Sequence, residues 1–388
     1  YSEDLQKNEY FKLLNILRPL DLNRLRILLD KAKKAENDVK GRKVILLIGN
    51  TGAGKSTLTH HLCGSTFQPF DKGVIPDTIG PIAALESVHI GRSTTLSETR
   101  YVSAIPVQFR VRGILETFYI CDTPGFLDVR GAEIELANVQ GIVDAIKNAA
   151  EVYPVLLFNE GCTADKWGAF RNMLKTVAAF IPTAASNLGA FSYIFTKGWT
   201  IDDKKVINDA LQEIINNLPQ ADAADSAYVA LLDDICSKTH PELGWAKAFI
   251  LNPLLQTPPK DTLLYAILSH QAKPITNCAY NFSYIRTDKS TEILRKECDV
   301  LEHVIKHLSD PKHFNFQLIN YHFSLMKVIN KAIPNSPLEE SVINCKELVS
   351  SALISYIEEN KSKLVSRLFG TNLFSTPDEF REVEESCA

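Results

Sequence analysis

The residues best able to do chemistry are nine in a row: Gly49-Asn50-Thr51-Gly52-Ala53-Gly54-Lys55-Ser56-Thr57. They complete the pattern G-x-x-x-x-G-K-[ST] between a short apolar run, Val44–Ile48, and a segment of helical pattern through Leu62. Glycines at 49, 52 and 54 let the backbone curl so that successive N–H groups point inward, and the positive end of the following helix adds to the potential there. Such a loop suits a polyphosphate. Lys55 has the charge and reach for β- and γ-phosphates, and the Ser56 hydroxyl is the kind of oxygen that holds Mg²⁺. The bland alternative is a glycine-rich turn with a solvated lysine.

A second signal is Ile120-Cys121-Asp122-Thr123-Pro124-Gly125-Phe126. A carboxylate leaving the end of an apolar strand is placed to join a Mg²⁺ shell, and Gly125 would leave its amide free to sense a γ-phosphate. Alone, Asp122 is an ordinary turn residue. Beside the first motif it gains a role.

The motifs GNTGAGKST at 49–57 and DTPGF at 122–126 resemble the first and third motifs of the translation-factor-related P-loop GTPases, especially the septin, immunity-associated/Toc and dynamin-like branches. The resemblance spans residues 43–253. It implies a GTP/GDP-binding switch domain that uses Mg²⁺, hydrolyses GTP slowly, and is activated by nucleotide-dependent homodimerisation or by another protein partner. It also implies roles for particular residues. Thr99, in Ser97-Glu98-Thr99-Arg100, would close on Mg²⁺ in the triphosphate state, with Thr95 and Thr94 behind it. Thr196-Lys197 match the first two positions of a T-K-x-D base-reading motif, and Asn252 in Leu251-Asn252-Pro253, or else Ser237-Lys238, would form the base-edge loop. Metal ligands would be Ser56, Thr99 and Asp122, while Lys55, Thr99 and Gly125 would carry hydrolysis.

Two positions depart from the family pattern. Trp199 stands where an Asp would read guanine, so that either Asp202 or Asp203 bends back or Trp199 stacks on the base. Phe126 replaces the water-orienting Gln of Ras-like members, and a phenyl ring cannot position a nucleophile. These departures also admit a nucleotide-binding scaffold with little hydrolysis. A P-loop ATPase or phosphotransferase is a further alternative, with no acceptor pocket or general base marked.

For these residues to meet, the chain must set its strands side by side. Apolar runs at Val44–Ile48, Val107–Val111, Leu115–Cys121, Val152–Phe158, Phe191–Phe195 and Ala248–Leu251 alternate with segments of helical period. That alternation predicts an α/β domain with a mostly parallel sheet covered by helices on both faces, and the resemblance implies that this sheet is that of a GTPase-like P-loop NTPase. Gly113 reads as the turn of an antiparallel hairpin at the sheet edge. The stripe Trp167, Phe170, Met173, Leu174, Val177, Phe180, Ile181 predicts one apolar helix face. Past Pro258-Pro259 only helical stripes remain. The chain is thus parsed as an N-terminal helical segment (1–40), the P-loop domain (41–256) and an α-helical domain (257–388).

Composition excludes other classes. The 388 residues hold 45% hydrophobic side chains and only 18 Gly and 18 Pro, which argues against disorder. A balance of 42 Lys+Arg against 46 Asp+Glu gives net charge -4 and no general attraction for nucleic acid. No apolar run approaches the roughly 18 residues of a membrane helix, and nothing indicates membrane association. Eight Cys without a CxxC pair suggest free thiols in the reducing cytoplasm. A start at Tyr1 reads as part of something longer. His60 and His61 are expected to pack rather than catalyse, Arg92 and Arg100 to be solvated loop residues, and His307, His313 and His322 lack metal-ligand spacing.

Overall fold

The computed structural model describes residues 27–28, 36–70, 73–90, 103–123, 132–243, 247–269, 273–285, 288–309, 315–331 and 338–369. The chain divides into two compact units, the first running from Leu20 to Thr291 and the second beginning, in its described part, at Glu292. Residues 257–291 thus fall in the first unit.

The first unit is α/β. Its strands are β1 (Lys43–Ile48), β2 (Thr66–Phe70), β3 (Gly73–Thr78), β4 (Ser103–Val111), β5 (Ile114–Asp122), β6 (Glu151–Asn159), β7 (Ser192–Thr196) and β8 (Ala248–Ile250). Six of them form one sheet in the order β4-β5-β1-β6-β7-β8, while β2 and β3 make a separate hairpin. β1 runs parallel to both β5 and β6, and β6, β7 and β8 are parallel in turn. Only β4 is antiparallel, paired with β5 from Ser103↔Asp122 to Val111↔Ile114. The two residues left between them, Arg112 and Gly113, have φ 53° and 82°. Positive φ at both positions is the turn that matches the right-handed twist of a hairpin, so the expected edge hairpin forms where Gly113 makes it cheap.

β1 is buried on both faces because each face meets a different core. Val44, Leu46 and Ile48 join one cluster, Ile45 and Leu47 the other. The first cluster takes in Ile142, Val143 and Ile146 of helix α2 (Ala132–Lys147) and Phe170, Leu174 and Val177 of α3 (Ala164–Phe180). The second takes in Leu58 and Leu62 of α1 (Lys55–Leu62). Apolar runs without polar alternation are therefore what this sheet requires. The α3 stripe differs from expectation at its start: Asp165, Lys166 and Trp167 have left-handed φ of 52°, 51° and 63°, so the regular apolar face begins at Phe170.

The second unit is helical, with α4 (Asp288–Leu308, which starts just before the division), α5 (Phe316–Lys331) and α6 (Leu338–Phe369). Leu301, Val304, Ile305 and Leu308 of α4 are buried at the spacing the stripe predicts. Of the N-terminal segment 1–40, helix is described at 27–28 and 36–39, and the rest lies outside the described residues.

Cys63, Cys121, Cys162, Cys236, Cys278 and Cys345 are free and buried, as the scattered spacing implied. No described helix is long and apolar enough to cross a membrane.

Candidate functional site

In an open parallel sheet the helices return the chain to the same edge, so the carboxyl ends of the strands gather the loops. A crevice opens where neighbouring connections leave in opposite directions. Here that point is β1, flanked by β5 on one side and β6 on the other. The residues following β1, β5, β7 and β8 are the 49–57 loop, Thr123, Lys197-Gly198-Trp199 and Leu251-Asn252. Topology therefore brings to one edge four segments separated by up to about two hundred positions in sequence.

The 49–57 loop is shaped by its glycines. Gly52 and Gly54 adopt φ 80° and 90°, a region that side chains strain to enter. At Gly49 a Cβ would lie 2.9 Å from the Leu157 carbonyl oxygen, so β6 passes too close for any larger residue. Gly54 precedes α1 without offering a side-chain cap, and the first turn of α1 holds no acidic residue. The positive end of that helix's dipole thus faces the loop with no acidic side chain in the first turn to offset it. Asn50 Oδ1 is buried in the loop with no hydrogen-bond donor among the described residues.

Lys55 is buried, and its ammonium donates to the carbonyl oxygens of Gly49 at 2.8 Å and Asn50 at 3.1 Å. Two carbonyl partners hold the charge inside the concave loop rather than in solvent. Ser56 Oγ donates to Asp122 Oδ2 at 2.8 Å, joining the helix start to the end of β5. Thr123 Oγ1 donates to the Leu47 carbonyl at 2.6 Å and fixes the backbone that carries Asp122. Asp122 itself is 1% exposed. Burial, with the neighbouring Asp122 charge second, pushes the Cys121 thiol up to about 12, so this cysteine is an inert part of the strand.

Thr196 serves a purpose that motif matching missed. Its Oγ1 donates to the Ala53 carbonyl at 2.7 Å, so the end of β7 braces the loop. Lys197 follows at φ 39°; the residue as a whole is exposed, but partial desolvation pulls its ammonium below the ordinary lysine value. Gly198, at φ 89°, lies against Glu160: a Cβ there would come within 2.8 Å of Glu160 Cβ. Nothing in the T-K-x-D pattern announces this constraint, because Glu160 arrives from β6.

Between the loop and β8 lies a cavity of about 390 Å³ lined in part by Gly54, Thr57, Thr196, Lys197, Trp199 and Asn252. The β2–β3 hairpin, unanticipated because Pro69 and Pro76 interrupt any strand pattern, contributes Pro69 and Val74 to its wall. Trp199 packs at 5.9 Å from Trp167 and edge-on at 6.0 Å from Phe195. Asp203 does not bend back toward the cavity, since its Oδ2 accepts from both the amide and the hydroxyl of Thr200 at 2.7 Å. Those bonds hold its carboxyl below the usual range.

The alternative base-edge segment, Ser237-Lys238, belongs elsewhere. Lys238 Nζ donates to the carbonyls of Leu188 and Phe191, which precede β7, and so marks the opposite edge of the sheet. His60 and His61 are buried packing residues: His60 meets Ser65 Oγ at 3.0 Å and the Val88 carbonyl at 2.8 Å, and His61 meets the Pro258 carbonyl at 2.9 Å. Thr99, Thr94, Thr95, Arg92, Arg100, Gly125 and Phe126 lie outside the described residues. No group of three or more His, Cys, Asp or Glu suited to a metal occurs among the described residues.

No protein-family model matches the chain, and no curated protein matches it.

Proposed function

We propose that the protein is a P-loop nucleotide switch of the translation-factor-related GTPase type, binding a nucleoside triphosphate with Mg²⁺ and hydrolysing it slowly to the diphosphate and phosphate. One observation carries the reading: Lys55, the glycine-led start of α1 and the Ser56–Asp122 pair converge at the carboxyl edge beside β1, where a sheet of this topology receives ligands. The strand order, with its single antiparallel edge, supports the same fold.

The residues fit both groups. A polyphosphate matches the amides and ammonium around a glycine-shaped hollow. Mg²⁺ takes hard oxygens and leaves most of its shell to phosphate and water, so the pair Ser56 and Asp122 suffices without the three-ligand cluster a zinc site needs. When bound, the ion would neutralise charge that develops on the transferred phosphoryl group. On binding, Lys55 would exchange its two carbonyl partners for phosphate oxygens, and Ser56 and Asp122 would turn toward the cation. Thr99 and the Gly125 amide are proposed to complete the triphosphate-sensing face. Phe126 leaves the attacking water without an orienting side chain at that position, so a second copy or a protein partner is proposed to supply the group.

Calorimetric titration of GTP and its diphosphate, with Mg²⁺ and with chelator, tests this directly. Micromolar binding that weakens on chelation is expected, and no binding under either condition would overturn the reading. Phosphate release then separates two versions of it. A rate that climbs faster than linearly with protein concentration marks dimer-activated hydrolysis, whereas binding with no release marks a nucleotide-dependent scaffold, the version that Trp199 and Phe126 favour.

A further inference from the structure

We propose that the cavity beyond Thr196 takes the base of a purine nucleoside triphosphate without distinguishing guanine from adenine, and that Trp199 and Asn252 set this relaxed choice. This rests on the phosphate-binding reading above and concerns the other end of the same ligand.

Preference for guanine has a simple chemical source. A carboxylate accepts from the ring N1–H and the exocyclic 2-amino group together, and adenine, with a bare N1 acceptor and no 2-amino group, is turned away by the same oxygens. Among the described residues that line the cavity there is no Asp or Glu. The position from which such a carboxylate would act carries Trp199, whose ring is held by Trp167 and Phe195. The nearest acid in sequence with a defined partner, Asp203, is committed twice to Thr200.

What the cavity does offer is surface and a donor. Trp199, Pro69, Val74 and Leu254 line it with apolar side chains, and stacking on such a wall accepts every base because every base has a π-face. Asn252 Oδ1 accepts from the Leu255 amide at 3.3 Å, leaving Nδ2 as a donor at the rim. An amide donor suits N7, an acceptor common to guanine and adenine and absent from pyrimidines. The larger purine also covers more of the apolar wall.

The experiment is displacement of a fluorescent GTP analogue from the full chain in Mg²⁺ by GTP, ATP, CTP and inorganic triphosphate. GTP and ATP are expected to compete within about 10-fold of each other, with CTP weaker than either by about 10-fold or more. Trp199→Asp is expected to open the GTP–ATP gap to about 100-fold by restoring an acceptor. Because that change removes a packed indole, Asn252→Ala serves as a milder second variant: both purines should weaken several-fold together while CTP is unmoved. A wild-type preference for GTP above about 100-fold overturns the proposal, and if Asp71→Asn abolishes that preference, the reader is the carboxylate between Phe70 and Gly73 in sequence. Failure of every nucleotide and of triphosphate to displace the probe overturns the phosphate-binding reading instead.

Discussion

The two ends of the candidate site are built on different principles. At the phosphate end, polar groups are paired across chain separations: Lys55 with the loop carbonyls, Ser56 with Asp122, Thr123 with Leu47, Thr196 with Ala53. At the base end the described walls are largely carbon and backbone, and the one charged lining side chain, Lys197, is partly desolvated. A phosphate chain needs fixed dipoles at defined points, whereas a flat ring needs only a slot of the right width. On the proposed reading, the contrast would place affinity at one end and leave selectivity weakly specified at the other.

The largest effect should come from the phosphate end. Lys55→Ala removes an ammonium whose charge-assisted bonds are worth about 1.5–3 kcal/mol each, and triphosphate affinity should fall by about 100-fold or more in calorimetry. If affinity is unchanged, the phosphate end is not where the ligand is held.

Next comes the seam between the ends. Gly198→Ala places a methyl group against Glu160 on a backbone at φ 89°, and should cost about 2 kcal/mol in urea unfolding. Thr196→Val keeps volume but leaves the Ala53 carbonyl without its donor. About 1 kcal/mol of stability, and roughly fivefold in triphosphate affinity, should go with it. A loss of base selectivity with unchanged affinity would contradict the bracing role.

The smallest effect is on pH dependence. Burial lowers the affinity of His60 and His61 for protons below the ordinary 6.5, outweighing their carbonyl contacts. Unfolding exposes both rings, which then take up protons in mild acid that the folded state refuses, so their contribution is intact above pH 6.5 and is lost as pH falls below it. The unfolding midpoint should drop between neutral pH and pH 5, and His60→Asn should flatten part of that slope.

Much of the phosphate end was legible in sequence because it is local. A strand, a glycine loop and a helix in succession need no distant partner to declare their conformation, and Val44–Ile48 followed by 49–57 and the helix through Leu62 are found where the pattern puts them. The sheet strands and the Gly113 hairpin were readable for the same reason. The base end was less so. Spacing could not decide between Asn252 and Ser237-Lys238, because residues fourteen or fifteen positions apart can lie on opposite edges of one sheet. Nor could it foresee the left-handed turn at Asp165–Trp167 that accompanies the contact of Trp167 with Trp199.

What the sequence determined by itself was the chemistry on offer: a glycine-curled loop with a lysine and a hydroxyl at its end, an acid at the end of an apolar strand, and the apolar runs that must pair into a buried sheet. Residue type and short-range periodicity suffice for these, since they follow from backbone sterics and from the removal of carbon from water. Which of those residues meet was decided only by the tertiary structure. Parallel pairing sets the register across the sheet and sends the carboxyl ends of β1, β5, β6, β7 and β8 to one edge, so that Asp122 reaches Ser56, Thr196 reaches Ala53 and Trp199 packs on Trp167.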